Sequence, residues 1–69
     1  MKAIKVFIDR EEQFKMLCLV EKLNGHPDIM ATATGPTEFV VAAEGEYSMA
    51  YTRAVIEGRL NDCTIEIIK

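Results

Sequence analysis

The side chains that could do chemistry in this sequence are few, and their spacing limits what they can do together. His26, the single histidine, has an ordinary pKa near neutrality, which makes it the natural general base or phosphate acceptor. It stands between Gly25 and Pro27 with no Ser, Cys or orienting carboxylate in register, so it reads as a loop residue with Asp28 close by. Glu11 with Glu12, and Glu44 with Glu46, are paired carboxylates of the kind that share acid and base work or hold a divalent cation. Neighbouring helical positions point about 100° apart, however, and the second pair brackets Gly45, so capping and solvation account for them better. Cys18 and Cys63 have no CxxC spacing and no third ligand beside them; they read as reduced, half-buried thiols. Gly35 and Gly45 are isolated turn glycines without GxGxxG or Walker spacing. No nucleophile, base and oxyanion donor can be assembled from this set, so the sequence predicts no enzyme, no cofactor and no metal.

The bulk properties exclude further classes. With 69 residues there is room for one domain, residues 1–69, and a chain this short buries roughly 60% of its unfolded surface, so its core is thin. Net charge is −3 with both signs interspersed, which leaves no basic stripe to neutralise phosphates and argues against nucleic acid. No uninterrupted apolar stretch exceeds five residues, against the roughly 20 that span a bilayer, and no signal-peptide core is visible; the expectation is a cytoplasmic protein without a membrane partner.

The elements that must position these residues follow from apolar periodicity. Ala3 to Ile8 alternates as a half-buried strand. Asp9 with Glu12 reads as a capping box opening a helix to about Asn24, with Met16, Leu17, Leu19, Val20 and Leu23 on one arc flanked by Phe14 and Cys18. Gly25 is expected to end it in a left-handed conformation, with Pro27 preventing continuation. Ile29 to Thr34 and Thr37 to Ala43 form a hairpin across Gly35-Pro36. Tyr47 to about Leu60 is a second helix and Cys63 to Ile68 a last strand. In the second helix Ala50, Ala54 and Gly58 make a strip of small side chains, while Met49, Ile56 and Leu60 lie on nearly the opposite side. A single sheet covers one such face; which of the two meets it is left open by the spacing, and Met49, Ile56 and Leu60 are the candidate contact face for a partner or a second copy.

The fold class is therefore α+β, a two-layer βαββαβ sandwich with a four-stranded antiparallel sheet. Both the ferredoxin-like and the HPr-like sandwich share this order and differ in which strands are central. The apolar continuity of the first and third strands, and the threonines of the second, lean towards a ferredoxin-like sheet with the second strand at an edge.

Leu19-Val20-Glu21-Lys22-Leu23-Asn24-Gly25, followed by Asp28-Ile29, resembles the end of helix 1 and start of strand 2 of HPr, the phosphocarrier of the bacterial sugar phosphotransferase system. Phe39-Val40-Val41-Ala42-Ala43 is similar to a strand of short, divergent HPr-like proteins, and Ser48-Met49-Ala50 stands where that family carries a regulatory Ser-Ile-Met-Gly helix start. The resemblance implies a possible regulatory phosphosite at Ser48 and protein partners in the phosphotransferase network. It departs at the family's Gly-x-His-x-Arg-Pro motif, where this chain has Phe7-Ile8-Asp9-Arg10-Glu11-Glu12 and matches Arg10 alone. Three carboxylates in that turn offset the helix-terminal positive charge and repel a phosphoryl group.

The resulting expectation is a non-catalytic HPr-like interaction and regulatory module, unable to carry phosphate on His, that docks through Arg10 and self-associates as a homo-oligomer. The alternative is a ferredoxin-like, dimeric domain that binds a small ligand, against which counts the lack of glycine at Ile8-Asp9-Arg10.

Overall fold

A computed structural model of the protein describes residues 1–68. Strand β1 (Lys2–Ile8) leads through a single 3-10 turn, Arg10–Glu12, into helix α1 (Gln13–Asn24); β2 (Ile29–Gly35) and β3 (Glu38–Ala43) form the hairpin; α2 (Glu46–Arg59) and β4 (Cys63–Ile68) complete the chain. The sheet is antiparallel throughout with strand order β2-β3-β1-β4. The α+β two-layer class read from the sequence is what is found, and its central pair, β1 and β3, is that of a ferredoxin-like sandwich.

The core lies between the sheet's inner face and the two helices. Ile4, Val6 and Ile8 of β1 alternate with Phe39, Val41 and Ala43 of β3 on that face, and Met16, Leu19 and Leu23 of α1 close over them. Leu17 and Phe14, grouped with the apolar arc by sequence, are exposed, because a helix lying on a sheet buries one narrow stripe of its surface.

Helix α2 resolves its two faces against the sequence-based candidate contact surface. Met49, Ile56 and Leu60 are all in the core, Ile56 with no exposure at all, whereas Ala50, Ala54 and Gly58 face solvent. Apolar area decides this: at about 25 cal/mol per Å², a Met-Ile-Leu stripe gains far more from burial than two alanines and a glycine. The three large residues are thus not available to a partner in the folded chain.

The termini of α1 also differ from expectation. Asp9 makes no side-chain capping bond, and Gly25 is right-handed at φ −72°, with no left-handed residue among those described. A Cβ at Gly25 would stand 3.3 Å from the Lys22 carbonyl oxygen, so close approach favours glycine there.

Candidate functional site

The chemistry-bearing residues fall into two places at opposite ends of the helix layer. At the carboxyl end of β1, a cleft of about 210 Å³ is lined by Phe7, Ile8, Asp9, Asp62, Cys63 and Thr64. It exists because β1 and β4 are neighbours paired Phe7 to Thr64 and Ile8 to Cys63, which sets the β1–α1 turn beside the α2–β4 turn. Glu12 holds these two turns together. It is 7% exposed, its Oε1 accepts the Asn61 backbone N–H at 2.9 Å, and Lys15 Nζ lies 3.7 Å from the same oxygen. Its Oε2 is buried with no hydrogen-bond partner among the described residues. The sequence assigned Glu12 to a local capping box; its actual partner is 49 positions away, a link no local pattern announces.

Cys63 sits among these carboxylates, half-buried and free. Burial first, then the charges of Glu12, Glu57 and Asp62, push its thiol above the ordinary value, so at neutral pH it is protonated and a poor nucleophile. Cys18, expected half-buried, is exposed on α1 and far along the chain from this cleft. Arg10 is exposed at the mouth of α1, as docking to an acidic partner would require.

At the other end, His26 accepts the Asp28 backbone N–H on Nδ1 at 3.2 Å, and its ring lies 5.4 Å from that of Tyr51. The contact ties the α1–β2 loop to α2 and brings no nucleophile to the imidazole. Ser48, the candidate phosphosite, is 7% exposed; its Oγ accepts the Gly45 N–H at 3.3 Å and its carbonyl accepts the Thr52 hydroxyl at 2.8 Å. It caps α2, and a kinase would have to open the first turn of that helix to reach it.

Compared with protein-family models, with curated proteins and with solved structures, the chain matches none. Among the described residues no group of three or more His, Cys, Asp or Glu side chains is placed to hold a metal ion, and no helix is long and apolar enough to cross a membrane.

One element that sequence reading missed altogether is Asn24. Its Nδ2 donates to the Ala31 carbonyl and its Oδ1 accepts the Ala31 N–H, both at 2.7 Å. Placed before Gly25, it reads from the sequence as the end of a helix; the structure makes it a clamp on the free side of β2.

Proposed function

We propose that this chain is a non-catalytic regulatory domain of ferredoxin-like architecture that works as a dimer and takes a small polar ligand at the β1–α1 turn. The observation that carries this reading is the strand order, which makes β1 and β3 central and sets the end of β1 against the start of β4. The cleft at that junction offers Asp9, Asp62 and Thr64 to a ligand, with Phe7 and Ile8 as its apolar wall. Two carboxylates and a hydroxyl favour an amine-bearing small molecule over a phosphate. Thermal-shift titrations with amino acids and small amines, against phosphate and sugar phosphates as controls, test this. An amine that raises the melting temperature of the parent protein but not of Asp62→Asn supports the reading; stabilisation by sugar phosphates alone overturns it.

The second reading is a protein-docking module of the phosphotransferase network that lacks the HPr strand order, favoured by the exposed Arg10 at the start of α1. Under it, Arg10→Glu abolishes capture of the partner without altering folding, and the protein still takes no phosphate from phosphoenolpyruvate through the general phosphotransferase kinase. A labelled phosphohistidine at His26 would sink both readings.

A further inference from the structure

The two edges of the sheet are finished differently, and the hydrogen-bond parity of the strands shows how. Ile8 N–H donates to the Thr37 carbonyl at 2.9 Å, so the even residues of β1 bond towards β3 and the odd ones towards β4. On β4 the residues opposite Ala3, Lys5 and Phe7 are Ile68, Glu66 and Thr64. The backbone groups of Cys63, Ile65 and Ile67 therefore point outward from the sheet. The same parity runs through to β2, where Glu44 N–H donates to Asp28 O and Ala31 faces outward into the Asn24 clamp. Edge β2 is occupied at Ala31 by that side chain; edge β4 has no proline or charge at its outward positions to blunt it.

The helix layer stops short of β4 as well. Ile67 shares the inner face with buried Ile4, its neighbour on β1, yet is 69% exposed. Beside it a cleft of about 260 Å³ separates β4 from Met49 and Arg53 of α2.

We infer that β4 pairs antiparallel with β4 of a second copy of this chain, giving one continuous sheet through a two-fold axis at Ile65. This register sets Cys63 opposite Ile67 of the second copy and Ile65 opposite its own equivalent, each pair exchanging backbone hydrogen bonds. On the outer face Thr64 meets Glu66, whereas an axis at Glu66 would bring two carboxylates together in the close, non-bonded position. The flank of α2 is complementary in the same register. Arg53 lies beside Ile67, and Glu57 stands one helical turn further along the same face of α2, so the two-fold brings each Arg53 towards the other copy's Glu57. Ile65 and Ile67 of both copies then form an apolar floor between the two α2 helices. A six-residue edge buries less than the roughly 800 Å² per partner of a standard interface, so the dimer is a reversible one.

This deepens the dimeric part of the proposed function and is independent of its ligand. Sedimentation velocity across a dilution series should show a monomer–dimer equilibrium in the parent chain. Ile67→Pro should leave the circular dichroism spectrum unchanged and the melting temperature equal to the parent's at dilutions where the parent is monomeric, because the N–H it removes points away from β1, and should abolish the dimer. Arg53→Glu should weaken association at least tenfold, and Arg53→Glu with Glu57→Arg should restore it. In a Cys18→Ser, Cys63→Ser background, Thr64→Cys with Glu66→Cys treated with diamide should give a disulfide-linked dimer, because those two positions face each other in the close, non-bonded pair. A parent chain that is monomeric at high micromolar concentration, or a dimer indifferent to Ile67→Pro, overturns the pairing. A ligand-induced thermal shift in a strictly monomeric protein would overturn the pairing while leaving the ligand site standing.

Discussion

Strands β2 and β4 are both edges of the same sheet, yet one is clamped at its middle by a side chain and the other is left with its backbone groups turned outward. The clamped edge is also the covered one, since α1 packs along β2, while α2 sits inboard of β4 and leaves Ile67 exposed. The contrast teaches that the helix layer is displaced towards β2. Two helices leave the end of β4 at Ile67 uncovered while Cys63 and Ile65 are half-buried against the core, and that uncovered end is where association costs least. The outer face of the sheet, by comparison, carries a side-chain network at its centre. Lys5 lies 3.6 Å from Glu38 and 5.3 Å from the Phe7 ring centre, so its ammonium spans a half-buried aromatic and an acid of that face.

The largest effect should come from removing the anchor that both edges share. Ile56→Ala is expected to cost about 2 to 5 kcal/mol in urea unfolding, because Ile56 is fully buried in the core. A loss below about 1 kcal/mol would mean that α2 is not held over the sheet as described. Next, Asn24→Ala should cost about 1 to 3 kcal/mol by leaving the Ala31 N–H and carbonyl without their partner. It should also promote association that Ile67→Pro no longer blocks, since β2 becomes a second free edge. If Asn24→Ala leaves association unchanged, the clamp is not what distinguishes the two edges.

Smaller effects are expected at the β4 entrance. Glu12→Gln keeps an acceptor for Asn61 but removes a charge beside Cys63, so stability should change by no more than about 1 kcal/mol while Cys63 alkylation at mildly alkaline pH speeds up. In the parent, iodoacetamide should label exposed Cys18 well before Cys63. The smallest effect is on pH-dependent stability. The folded state holds the Cys63 proton more tightly than the unfolded chain, where a thiol ionises near about 8.5. Its contribution is therefore full below that pH and is lost as pH rises towards the folded value. Cys63→Ser should flatten that alkaline decline; an unchanged slope would assign the decline to other groups.

Much of the sheet was legible because strand periodicity is strict: alternation in Ala3 to Ile8 and the apolar run of Phe39 to Ala43 marked the central pair, and the threonines of β2 marked an edge. The helices were less so. On α2 two apolar stripes fit the same spacing, and the choice between them rests on burial area, which periodicity does not weigh. The site was harder still. Glu12 meeting Asn61 and Asn24 meeting Ala31 are contacts made by tertiary folding, and both residues carry a plausible local role at a helix end that masks the distant one. Ser48 shows the reverse, a residue singled out by resemblance whose local capping role is plain once Gly45 is seen to donate to it.

The clamp on β2 also gives the protein a chemical clock. Asn24 is followed by Gly25, and a glycine offers the least hindered backbone nitrogen for attack on the preceding side-chain amide, which expels ammonia and closes a succinimide that water then opens to an aspartate or its isomer. While the fold is intact, the Asn24 amide is engaged by Ala31 and the Gly25 nitrogen is bonded to the Lys22 carbonyl at 3.2 Å, so the two are kept apart from reaction. We expect deamidation to track local opening of the α1 terminus and to be self-reinforcing, because a carboxylate in place of the amide has no N–H to give the Ala31 carbonyl. Peptide mapping of samples aged at mildly alkaline pH should find the modified residue concentrated in the aggregated fraction; an even distribution between monomer and aggregate would show that the lesion does not free the edge.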